Sequence, residues 1–142
     1  PSPTDELLLV IHNLIELRRR LQQRYAQLTP PAGEPPTPED RFIAKVRRAV
    51  ERQLDNPGFG VEQLADTLHL SRSQLYRKLN FLTGGSASDF IRTIKMQRAE
   101  VLLKEGELSI AEIAYALGYR DPSYFTRVFS QTYGYPPREA RS

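Results

Sequence analysis

The run Val61-Glu62-Gln63-Leu64-Ala65-Asp66-Thr67-Leu68, continued by His69-Leu70-Ser71-Arg72-Ser73-Gln74-Leu75-Tyr76-Arg77-Lys78-Leu79 and closed by Thr83-Gly84, occurs twice in this chain in altered form. Val61, Leu64, Ala65 and Leu68 match Ile110, Ile113, Ala114 and Leu117 at a shift of 49. Leu75, Arg77, Leu79, Thr83 and Gly84 match Phe125, Arg127, Phe129, Tyr133 and Gly134 at a shift of 50, so one extra residue falls in the turn of the second copy. In each copy, apolar residues three and four apart mark a short helix, and a polar break leads into a second helix. Ala65 and Ala114 leave room for a partner helix to approach. Each copy therefore reads as a helix, a tight turn and a second helix.

Working outward, capping boxes mark helix starts at Ser71 with Gln74, Ser86 with Asp89 and Ser109 with Glu112, with a weaker signal at Thr4 and Leu7. The spacing predicts helices over 61–68, 72–82, 87–104, 110–117 and 122–133. The long middle one, with Ile91, Ile94, Val101, Leu102 and Leu103, is expected to pack on both repeats as a spacer. Thr37-Pro38-Glu39-Asp40 supplies an N-cap, a proline at N1 and acids in the first turn, opening a helix that carries Phe42, Ile43, Val46, Val50 and Leu54 and stops near Asn56-Pro57-Gly58. No segment alternates as a strand would. The expected class is all-α: two helix-turn-helix units joined by a long linking helix, preceded by an N-terminal amphipathic, coiled-coil-like helix.

Residues 30–38 hold five of the eleven prolines and read as an extended linker. Before them, Leu7, Ile11, Leu14, Leu21, Tyr25 and Leu28 recur on one face of a predicted helix over 4–28, as the seam of a heptad pattern. A lone helix has little to bury such a stripe against, so the expectation is a homodimer formed through these six residues. The division expected is 1–29 dimerisation or signalling helix, 30–38 linker and 39–142 double helix-turn-helix domain. Removing the first 28 residues should then lower dimer content without unfolding the rest.

Composition narrows the function. Without cysteine there is no disulfide framework or thiolate metal site, and only His12 and His69 offer imidazoles, far apart in sequence, so no metal or other cofactor is expected. The longest apolar run, Leu7 to Ile11, is far below the roughly 18–20 residues that cross a bilayer. No membrane contact and a cytoplasmic location are the expectation. No Gly-x-Ser-x-Gly elbow occurs and neither histidine has an acid partner at helical spacing, so no catalytic residues are assigned and the chain is not expected to be an enzyme. Residues 1–38 balance four arginines against four acids, and the whole net charge of +3 belongs to 39–142, where 16 basic residues face 13 acidic ones. That excess suits a polyanionic partner.

The helical wheel of each second helix sharpens that reading. Leu75, Leu79 and Leu82 fall within about 60° of one another, while Ser73, Tyr76, Arg77 and Asn80 lie toward the opposite side. In the second copy Phe125, Val128, Phe129 and Thr132 are expected inside and Ser123, Thr126, Arg127 and Ser130 outside. Polar faces of Ser, Thr, Tyr and Arg without acids match contact with base edges and phosphates. The expected base-contacting residues are Ser73, Tyr76, Arg77, Ser123, Thr126 and Arg127, with Arg77 and Arg127 suited to bidentate contact with guanine. Arg72, Lys78, Arg92, Lys95 and Arg120 are the candidates for DNA phosphate contact. Asp121 before Pro122 reads as an N-cap, His69 as a turn residue, and Tyr115, Tyr119, Tyr124 and Phe129 as core and turn packing. The rival reading is a helical adaptor that acts through the Leu7–Leu28 stripe; DNA binding would weaken steeply with salt and an apolar helix interface would not.

At these residues the chain resembles the DNA-binding domain of AraC/XylS-family transcription regulators. The resemblance rests on Ile113-Ala114, Gly118-Tyr119, Asp121-Pro122-Ser123-Tyr124-Phe125, Arg127, Phe129, Gly134, Pro137 and Arg141, and on Leu64-Ala65, Ser71 through Leu79, Thr83-Gly84, Phe90-Ile91 and Arg98-Ala99. It implies that the second helix of each unit enters successive major grooves of double-stranded DNA, and it places the family's base-reading positions on the same six residues. Ala140 stands where the family usually has an aromatic, implying weaker packing of the final helix, and Ala87 where a proline is common. Ile15-Glu16-Leu17-Arg18-Arg19-Arg20-Leu21 with Tyr25 resembles the helix that follows a receiver domain in hybrid two-component regulators, and equally fits a generic coiled-coil linker. The former implies an upstream sensor or receiver domain.

Overall fold

The computed structural model describes residues 2–33 and 35–141, in which eight helices and no strand occur. Helix α1 is Pro3–Arg24, α2 Pro38–Glu51, α3 Val61–Thr67, α4 Arg72–Thr83, α5 Ala87–Glu105, α6 Ile110–Ala116, α7 Pro122–Tyr133 and α8 Pro137–Ala140. The expected boxes at Ser71, Ser86 and Ser109 each close reciprocally on Gln74, Asp89 and Glu112. Thr37 forms a further one with Asp40, and α1 is capped by Ser2 with Asp5, ahead of the weaker Thr4 signal.

Two cores share α5. Ile43, Val46 and Val50 of α2, Leu64 of α3, Leu75 and Leu79 of α4, and Phe90 and Ile94 of α5 make the first. Met96, Ala99 and Leu103 of α5 make the second with Ile113, Leu117, Phe125 and Phe129. The division falls between Ile94 and Met96, so one unbroken helix is the last helix of the first unit and the first helix of the second. Val101, expected in this packing, is instead exposed. The repeat accordingly extends one helix further than the helix-turn-helix pair: Lys45-Val46-Arg47-Arg48-Ala49 matches Lys95-Met96-Gln97-Arg98-Ala99 at a shift of 50, with Val46, Met96, Ala49 and Ala99 all buried. The start of α5 likewise corresponds to α8. Phe90 fills the first core where Ala140 only partly covers the second.

The turns of the two units share a left-handed residue, His69 at φ +57° and Gly118 at φ +81°. A Cβ on Gly118 would sit 2.7 Å from the Leu54 carbonyl oxygen and 3.2 Å from that of Asn56. The turn of the second unit therefore presses directly on the chain that leaves α2, and the two units touch at a point away from α5.

The N-terminal seam needs correction. Helix α1 ends at Arg24, and Leu28 takes a left-handed conformation at φ +55° instead of continuing the stripe. Tyr25 and Leu28 are buried in the first core and Leu21 packs against it. Arg47 donates to the Leu28 carbonyl at 3.2 Å and Gln97 to that of Gln27 at 3.0 Å, which ties the segment to α2 and α5. Leu21, Tyr25 and Leu28 are thus occupied within the monomer and are unavailable to a dimer seam, while Leu7, Ile11 and Leu14 stay exposed. Deleting 28 residues would open the first core, contrary to the expectation from periodicity, which reports an apolar face without its partner.

A buried carboxylate secures the junction. Asp40 is 3% exposed and accepts from Arg24 at 3.1 and 2.8 Å, from the Tyr25 hydroxyl at 2.6 Å and from the Thr37 amide at 3.2 Å. The Arg24 guanidinium, helped by these other donors, holds its pKa well below the usual carboxylate range.

Candidate nucleic-acid interface

Each second helix buries an apolar face and leaves its polar face outside. On α4, Leu75, Leu79 and Leu82 are buried, and Ser73, Tyr76 and Arg77 are exposed. These three share an open groove with Arg72, the α3 residue Val61 and the start of α5 at Ser86–Ser88. On α7, Phe125, Val128 and Phe129 are buried, Ser123 and Arg127 exposed, and Thr126 half-buried. A second groove brings Arg127 together with Gly118, Tyr119, Arg120, Asp121, Tyr124 and Pro57. Asp121 caps α7 by accepting from the Ser123 amide at 2.9 Å, as its place before Pro122 suggested.

Several residues stand elsewhere than periodicity placed them. Thr132 is exposed, its hydroxyl donating to the Val128 carbonyl at 2.8 Å, and Tyr133 takes the inner position with its ring 4.6 Å from that of Phe129. Asn80 faces α1, where its Oδ1 accepts from Arg18 at 2.8 Å. Lys78 lies with its ammonium 4.5 Å from the Phe42 ring centroid, beside α2 and apart from the groove that holds Arg72. Arg92 pairs with Asp89 at 2.5 Å, both about half exposed. Lys95 is half-buried over the Tyr119 ring, and this burial lowers its pKa. Arg72 and Arg120 are the phosphate candidates that share grooves with residues expected to contact bases, Arg72 with Ser73, Tyr76 and Arg77, and Arg120 with Arg127.

The aromatic residues divide. Phe129 is buried and Tyr119 half-buried, its hydroxyl pushed up to about 12 mainly by burial. Tyr115 and Tyr124, expected in packing, are 55% and 50% exposed. Tyr124 belongs to the groove beside Arg127, a place that its spacing of three residues from Arg127 could have indicated. At the chain end Arg141 donates to the Leu108 carbonyl, and Ala140 still packs partly against the second core.

Residues 64–142 match the family described as a helix-turn-helix domain. The chain belongs to the AraC/XylS-type helix-turn-helix family. Among AraC-type structures, the C-terminal domain of the two-component response regulator yesN from Fusobacterium nucleatum superposes with a TM-score of 0.66 at 25% identity, over 72% of this chain and 99% of that one. The DNA-binding domain of AdpA, solved in complex with a target DNA, gives 0.63 at 28% identity over 69% and 87% of the two chains. A protein named histidine kinase P4 from Formosa agariphila is 28% identical over 98% of this chain but only 10% of its own length. The chain spans between a tenth and about a third of the curated relatives it matches. Among the described residues no helix is long and apolar enough to cross a membrane.

Proposed function

We propose that this AraC-type chain is the operator-reading part of a transcription regulator, a binding module and not an enzyme, acting in the cytoplasm on double-stranded DNA. Helices α4 and α7 enter successive major grooves, with Ser73, Tyr76 and Arg77 on one set of base edges and Ser123, Thr126 and Arg127 on the next. Arg72 and Arg120 meet phosphates beside them. The observation that carries this reading is the recurrence of an exposed arginine, Arg77 and Arg127, at matching places on two helices whose apolar faces are anchored to one rigid rod. That rod, α5, has 19 residues and a length of about 28 Å, comparable to the roughly 34 Å of one duplex turn. The DNA complex of the AdpA domain supports the same reading.

The exposed seam of Leu7, Ile11 and Leu14 supports a homodimer through the first half of α1, and the kinase and response-regulator relatives support an upstream sensor or receiver domain. Selection of duplexes from a randomised pool tests the interface. Arg77→Ala and Arg127→Ala should each relax discrimination at one base pair by about 1–3 kcal/mol, the two pairs lying about one turn apart. Unchanged base preference in both variants would defeat the assignment.

A further inference from the structure

Tyr124 lies on the outer side of α7, one helical turn before Arg127, and the Arg127 guanidinium carbon sits 5.4 Å from the centroid of its ring. The Tyr124 ring packs on Tyr119 at 5.9 Å. Tyr119 is held in turn by Phe125 of the second core at 5.5 Å and by the Lys95 ammonium of α5 at 5.1 Å. An exposed guanidinium thus rests on an aromatic column rooted in the core and in the linking helix. Among the described residues the first unit has no such column. Leu70 and Gln74 occupy the positions of Tyr119 and Tyr124, and Gln74 is engaged in accepting from the Ser71 amide at 2.9 Å.

We propose that Tyr124 is a positioning residue for base recognition: its ring holds the Arg127 guanidinium before DNA arrives, so that the second unit reads its base pair more strictly than the first. This rests on Arg127 being a base reader. Arginine loses much rotamer freedom when fixed, and a ring that already restricts it removes part of that loss from the binding step. A cation–π contact of this kind engages the charge with the ring face and consumes no N–H hydrogen bond, so the guanidinium donors stay free for the two acceptors of guanine.

The test is a double-mutant cycle on the full chain, titrated by fluorescence anisotropy against a duplex selected from a randomised pool and against its single-base variants. Tyr124→Leu should reduce preference about three- to tenfold at the one pair where Arg127→Ala abolishes it, and Tyr124→Phe, which keeps the ring, should stay within about twofold of the parent. In the Arg127→Ala background Tyr124→Leu should add nothing at that pair. The proposal is overturned if Tyr124→Leu keeps its preference, if it costs as much without Arg127, or if Tyr124→Phe fails alongside it, since the latter two results mean that Tyr124 contacts DNA itself. If Arg127→Ala retains every preference, the base-reading assignment falls and the shelf falls with it. If only Tyr124→Leu retains it, the assignment stands and the shelf alone is lost.

Discussion

His69 and Gly118 occupy the same place in their repeats and the same left-handed region, yet they tolerate a side chain very differently. His69 is exposed, so its Cβ meets no more than the intrinsic cost of that conformation. Gly118 has backbone oxygens of the preceding unit at the position a Cβ would take. Gly118→Ala is expected to cost about 2–4 kcal/mol, combining left-handed strain with a backbone clash, whereas His69→Gly should stabilise by about 0.5–1 kcal/mol. Denaturant titration of both variants measures this, and a Gly118→Ala cost no larger than the His69→Gly gain would mean that the contact with Leu54 and Asn56 is unimportant. At this scale the outward residues of α4 and α7 were legible, because helical period alone orients Ser73, Arg77, Ser123 and Arg127. By sequence Tyr124 reads as packing, although its spacing of three residues from Arg127 carries a signal for the groove. Its ring could serve packing or surface equally, and only its neighbours Tyr119 and Arg127 decide between them.

Helix α1 shows how an element acquires its role from what covers it. One apolar stripe runs along it, but the second half docks on the first core while the first half, with Leu7, Ile11 and Leu14, is left open. The clamp at that junction is Asp40. Asp40→Asn removes the charge that Arg24 and the Tyr25 hydroxyl face, and should destabilise the first unit by about 2 kcal/mol at neutral pH. Because its pKa is depressed in the folded chain, the ionised group stabilises fully above the unfolded value near 3.9, and this contribution fades as pH falls through that value toward the lower folded one. The gap between Asp40→Asn and the parent should therefore be widest above about pH 5 and narrow in acid. Thermal melts at pH 7 and pH 3 check the sign, and a constant gap would show that the ion pair is not its origin. Helix ends were legible wherever a capping box or proline marked them. The end of α1 was not, because no glycine stops it; Tyr25 and Leu28 turn the chain by entering the core.

Across the molecule, two units are held at a set stride by α5 and by the second contact at Gly118, an arrangement suited to reading two grooves without rearrangement. Pairing through the free half of α1 would bring four reading helices onto one operator and raise affinity through effective concentration. Removing residues 2–16 should lower dimer content in sedimentation while leaving the melting transition intact. Removing residues through 28 should instead cost about 4 kcal/mol by stripping Tyr25 and Leu28 from the core. An unchanged mass distribution after the shorter deletion would refute the pairing role. The primary sequence alone determined the helical class, the duplicated unit, the capped helix starts and the polar outer faces, because all of these are local periodicities or short motifs read along one strand of chain. Tertiary structure alone decided which part of the N-terminal stripe is free, that Lys78 and Asn80 turn to other helices, and that the aromatic column under Arg127 is anchored on Lys95 of α5. Those outcomes depend on which surfaces meet across dozens of residues, and a residue's own spacing carries no record of its distant neighbour.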